Sequence, residues 1–249
     1  MPDWKARFGE YWRYTRFPFQ NILIVLPVIF AYELGIFFFN RSDMHGLRNG
    51  ADVLLRYFLG LAGVYGFYAF AVSLMLIVLV VLWLEYQREG RLELRPAYFG
   101  GMLLESLLYG LVLFVLLSRF TAVDLQVIDP VGISTTQRIV LAFGAGVYEE
   151  FVFRVLIISG IALLLRNGAG WKPWSAAVIG ILFSAVIFSM FHYVGEYGEV
   201  FQARTFIIRS FAGVMLSVLY VLRGFGITVY SHIIYDLIII LSLPSTGGG

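Results

Sequence analysis

Apolar and polar positions alternate on a long period along this chain, with extended apolar stretches separated by short polar connections. Runs without a charged side chain, such as 57–84 and 173–195, reach or exceed the roughly 20 residues that cross a bilayer as a helix. The pattern predicts a first span from Phe17 to Phe39. The stretch 51–86 would measure about 54 Å as one helix, too long for one crossing and too short for two comfortable ones. Gly60, Gly63 and Gly66 mark a bend in it, which predicts a shorter interfacial or partly inserted piece leading into a span that ends near Glu85. Further spans are predicted at 97–118, 138–165, 173–193, 203–222 and 224–243. Within residues 1–16, Trp4, Phe8, Tyr11 and Trp12 share one helical face, with Lys5, Arg7, Arg13 and Arg16 nearby, as in a helix lying in the membrane interface. No short apolar region with a small-residue cleavage site follows that basic start, so a cleavable signal peptide is not expected.

The fold class that follows is an all-α polytopic membrane protein, a bundle of seven to eight transmembrane helices with an N-terminal interfacial amphipathic helix. No internal repeat or soluble linker interrupts it, so residues 1–249 read as a single transmembrane domain whose last residues, 244–249, form a disordered tail. Composition agrees: 60% of residues are hydrophobic and 14% charged, against about a quarter charged in a soluble domain. The net charge of +2 comes from scattered basic residues rather than a patch, so the partner is the lipid bilayer and not nucleic acid. Basic side chains collect in the N-terminal segment, at Arg88, Arg91 and Arg95, and at Arg166 and Lys172, while Asp124, Asp129, Glu196 and Glu199 mark the opposite loops. This distribution predicts a cytoplasmic N-terminus. The absence of cysteine excludes disulfides, thiolate ligands and a cysteine nucleophile.

Ionisable groups inside spans are costly unless paired, and each is a candidate for function. Gly146-Val-Tyr-Glu149-Glu150-Phe-Val-Phe-Arg154 places two carboxylates and a guanidinium midway along the 138–165 span. On an α-helix, Glu150 and Arg154 share a face at i, i+4, while Glu149 is turned about 100° away. Glu150 is therefore expected to pair with Arg154, leaving Glu149 to face a cavity as the chemical group. Gly144, Ala145 and Gly146 would admit a neighbouring helix or a substrate backbone, or serve packing alone. His192 lies one turn after Phe188, and His232 one turn before Asp236, each pair in an apolar span. A lone intramembrane histidine is usually a packed residue. Together with Glu149, these groups supply what water activation needs, a base and groups that orient the water and stabilise an oxyanion. The same side chains also make a zinc set, with Glu149, His192 and His232 as ligands and Glu150 as base. Composition leaves both mechanisms open. His45 reads as an ordinary exposed histidine, and Glu33, Glu105, Arg209 and the Asp52/Arg56 pair as structural ions.

Glu149-Glu150-x-x-x-Arg154, Phe188-x-x-x-His192 and His232-x-x-x-Asp236, in that order on separate apolar spans, resemble the three motifs of the CAAX-protease and bacteriocin-processing family, also called the Abi family. The resemblance covers the motif-bearing core, 138–243. It implies an all-helical intramembrane endopeptidase acting on a membrane-associated protein or peptide. Eukaryotic members trim the last three residues from prenylated proteins, whereas bacterial members include processing, self-immunity and scaffolding proteins. By the same resemblance, Glu149 activates water with the help of His192, and His232 and Asp236 stabilise the oxyanion or hold the other groups. The family has been described both as metal-dependent and as metal-free. Asp236 stands where prenyl-protein proteases carry asparagine, and an ionised aspartate cannot donate to an oxyanion, so orienting His232 or serving a metal suits it better. A bacterial cell (inner) membrane fits this pattern. A non-catalytic scaffold or immunity protein and a proton-coupled transporter are the rival readings; the transporter would carry an inverted repeat, which the chain lacks.

Overall fold

Apolar length and local stop signals set the boundaries of the helices. The computed structural model describes residues 4–39, 48–90, 92–121, 133–195 and 198–242, and the described residues contain no strand. The order is α1 (Trp4–Tyr14), α2 (Pro18–Phe39), α3 (Gly50–Leu61), α4 (Gly66–Glu89), α5 (Ala97–Thr121) and α6 (Thr135–Gly144). A π-helical segment (Ala145–Glu149 and Phe151–Ile158) leads into α7 (Ser159–Ala169), followed by α8 (Pro173–Phe191), α9 (Ala203–Arg223) and α10 (Phe225–Ser242). Asn49 caps α3 by accepting from the amide of Ala51, and Ser134 and Gln137 form a reciprocal capping box on α6. Gly90 and Gly170 end α4 and α7 in the left-handed conformation. The expected bend in 51–86 is the turn between α3 and α4, where Gly63 takes φ +83°.

Among the described residues, five helices are each long and apolar enough to cross a membrane: α2, α5, α8, α9 and α10. Their outward faces carry large apolar side chains such as Leu104, Leu108, Leu182 and Ile207, the surface that a hydrocarbon solvent requires. The chain is an integral membrane protein. Of the other stretches read as spans, 138–165 falls within the unbroken helix from α6 through the π segment to α7, and the end of the 51–86 stretch falls in α4. His45, Arg91, Asp124, Asp129, Glu196 and the 244–249 tail lie outside the described residues.

α10 runs through the centre of the bundle, packing on α2, α5, α6, α9 and the π segment. The core around it is formed by Tyr32, Val147, Tyr148, Phe153, Phe188, Ile227, Val229 and Ile233. The ions read as structural do find partners. Arg56 binds Asp52 at 2.6 Å and Glu33 at 2.9 Å, Arg209 binds Glu199 at 2.6 Å, and Arg223 pairs with Glu105.

Candidate active site

The first motif sits where the long helix leaves the α register. From Ala145 to Ile158 the backbone is π-helical on either side of Glu150. Its i→i+5 bonds put more residues into each turn and so reduce the angle between successive side chains. Glu149 and Glu150, adjacent in sequence, are therefore both turned inward, at 8% and 0% exposure. On an α-helix Glu149 would be turned about 100° from the face that Glu150 shares with Arg154, and the π register narrows that angle. Two glycines permit the arrangement. A Cβ on Gly144 would strike the ring of Tyr32, and one on Gly146 would strike Ile233 and come within 3.0 Å of the Val229 carbonyl. The small residues thus serve close packing of α2 and α10 onto the motif.

Glu150 is approached by two basic side chains at once. Its Oε1 lies 2.7 Å from Nδ1 of His232, and its Oε2 lies 3.0 Å from Nε of Arg154. The second approach lies off the N–H direction, so it is an attraction of charges rather than a directed hydrogen bond. Arg154 is fully buried, and its guanidinium lies over the ring of Phe188 at 4.6 Å. The expected Glu150/Arg154 pairing is present, with His232 as an unforeseen third member.

An apolar cavity of about 450 Å³ between α2, α3, α4 and the π segment reaches Val147, Tyr148 and Phe151, but Glu149 is not in its lining. Instead Oε1 of Glu149 accepts from Nδ2 of Asn49 at 2.9 Å. Sequence reasoning did not find this contact. Asn49-Gly50-Ala51-Asp52 carries the signal of a helix start, but nothing in it points to a carboxylate a hundred positions later.

The remaining motif residues converge on the same place. Asp236 stands one turn after His232, with Oδ2 3.6 Å from Nε2, beyond hydrogen-bonding range but close enough for its charge to act. His192 caps the end of α8, where its Nδ1 lies 2.9 Å from the Phe188 carbonyl. A carbonyl only accepts, so Nδ1 carries the proton and the Nε2 of a neutral ring is left as an acceptor. Phe188 separates the two histidines, its ring 5.1 Å from that of His192 and 6.3 Å from that of His232. Glu149, Glu150, Arg154, His232 and Asp236 therefore form one cluster, which His192 joins through Phe188.

Among the described residues no three His, Cys, Asp or Glu side chains are grouped to hold a metal ion. The zinc set of Glu149, His192 and His232 is accordingly not drawn together as a ligand cluster.

Residues 132–238 match the family model described as type II CAAX prenyl endopeptidase Rce1-like, a stretch that contains all three motifs. Neither the curated proteins nor the solved structures contain a match to the chain.

Proposed function

We propose that this chain, whose residues 132–238 match the Rce1-like model of type II CAAX prenyl endopeptidases, is an intramembrane endopeptidase that hydrolyses a peptide bond in a membrane-associated protein or peptide. The observation that carries the reading is a buried carboxylate, Glu149, with one oxygen fixed by Asn49 and its neighbour Glu150 bound to His232. In the proposed mechanism the second oxygen of Glu149 takes a proton from water as the water oxygen attacks the scissile carbonyl carbon. Nε2 of His192 accepts from the same water and aims it. As the C–N bond breaks, Glu149 returns the proton to the leaving amine. Glu150 and Arg154 hold His232, and His232 with Asp236 sets the charge facing the developing oxyanion.

The membrane arrangement belongs to the same proposal. The bundle crosses a bacterial inner membrane seven or eight times, with α4 and the helix carrying the π segment added to the five apolar spans, and α1 lies in the cytoplasmic interface.

The test compares the termini of all membrane-associated proteins, by mass spectrometry, in cells expressing wild type or equal amounts of inserted Glu149→Ala. New termini formed only with wild type are the expected result and identify the substrate. Identical termini in the two, with a cellular effect of deleting the gene that Glu149→Ala complements, would replace the protease by a scaffold.

A further inference from the structure

Asn49 belongs to the half of the chain that precedes the family-matched residues 132–238, yet it touches the carboxylate at the centre of the site. Its amide is fixed on both sides. Oδ1 accepts from the backbone N–H of Ala51 at 2.8 Å, and Nδ2 donates to Oε1 of Glu149 at 2.9 Å. Turning the amide over would set donor against donor and acceptor against acceptor, so only one orientation satisfies both partners.

The backbone of Asn49 is anchored as well. Its N–H donates to the Tyr32 hydroxyl at 3.1 Å, and that hydroxyl donates to Oδ2 of Asp52 at 3.0 Å. Asp52, fully buried, also accepts from Arg48 at 2.7 Å and from Arg56 at 2.6 Å. Arg56 reaches on to Glu33 at 2.9 Å, and Glu33 accepts from the hydroxyl of Tyr148 at 2.9 Å. Tyr148 precedes Glu149 in the chain, so the circuit that leaves Glu149 through Asn49 returns to it through Tyr148. A structural ion network needs neither the contact to Glu149 nor this closure.

We infer that Asn49 is a positioning residue for the reaction: its side-chain amide fixes one oxygen of Glu149 and thereby aims the other at the water. The inference rests on the reading of Glu149 as the base. Asn49 also caps α3, and the test must separate the two roles. Serine and aspartate are both good N-caps, but serine is too short to reach Glu149 and aspartate presents a carboxylate to it instead of a donor.

Kinetics are measured on wild type, Asn49→Ser, Asn49→Asp and Asn49→Ala in detergent, with an internally quenched peptide spanning the bond found by the terminus comparison. Thermal melting is followed alongside. The expected result is a kcat lowered about 10–100-fold in Asn49→Ser, the equivalent of one hydrogen bond to a charged group, with KM within about twofold and an unchanged melt. Asn49→Asp should lose more, although its cap is intact. Wild-type kcat in the serine and aspartate variants, with only Asn49→Ala impaired, would reduce Asn49 to a helix cap and overturn the inference. A melt that falls in step with kcat in every variant would also overturn it. Cleavage that survives Glu149→Ala would remove the base itself, a different failure that takes the proposed function with it.

Discussion

Two adjacent glutamates are buried for different reasons, and their substitutions should separate. Glu149 makes its hydrogen bond through Oε1 to an amide, which the oxygen of a glutamine accepts equally well. Glu149→Gln is therefore expected to keep the wild-type melting temperature while cutting turnover by about 10²–10⁴-fold, the usual worth of a general base. Glu150 is the counter-ion of a fully buried arginine and the partner of His232. Glu150→Leu leaves Arg154 without compensation and is expected to cost about 3–5 kcal/mol of stability, seen as loss of the folded fraction in a detergent melt. A large drop in melting temperature for Glu149→Gln, or none for Glu150→Leu, would contradict this division. Asn49 lay beyond the reach of the sequence because its partnership is made only by folding, whereas Glu150/Arg154 and His232/Asp236 were legible as single turns of helix.

The helices themselves were legible because apolar length and capping chemistry are local. The predicted spans 97–118, 173–193, 203–222 and 224–243 fall on α5, α8, α9 and α10. The π register was not legible. Widening a turn costs hydrogen-bond geometry and is repaid by packing, here by Tyr32 and Ile233 seated against glycines whose partners lie on other helices. Those glycines should differ sharply in tolerance. At Gly146 an added methyl meets Ile233 and the Val229 carbonyl, so Gly146→Ala should destabilise by about 1–3 kcal/mol and separate His232 from Glu150, lowering activity as well. Gly160, farther along the same continuous helix, has nothing within 4 Å of a would-be Cβ. Gly160→Ala should leave activity intact and add about 0.5–1 kcal/mol of stability through helix propensity. Paired melting and activity measurements check both; equal behaviour of the two variants would rule out the packing account.

Beyond the site, one buried ion pair ties the beginning of the chain to its end. Arg223, at the end of α9, pairs with Glu105 of α5, donates to Thr15 at 3.0 Å and lies 3.8 Å over the ring of Trp12. Tyr11 donates to the same carboxylate at 2.8 Å, and burial, then that bond, push its phenol above the ordinary range, so it acts as a neutral donor. Breaking the pair from one side with Glu105→Leu should cost about 3–5 kcal/mol, whereas Glu105→Leu combined with Arg223→Met should recover most of the loss. A double-mutant cycle of melting free energies checks this, and simple additivity would show the pair to be idle. The clamp also imposes an order on biogenesis. Glu105 leaves the ribosome more than a hundred residues ahead of Arg223. During that interval α5 must enter the membrane with a carboxylate that has phenol hydroxyls in reach, those of Tyr11 on α1 and Tyr109 one turn on in α5, but not its cation, and an ionisable group within a span is costly until it is paired. α5 therefore gains the counter-ion of Glu105 only when α9 arrives, and a chain stalled before that point carries an acid without its cation, a mark that membrane quality control can recognise.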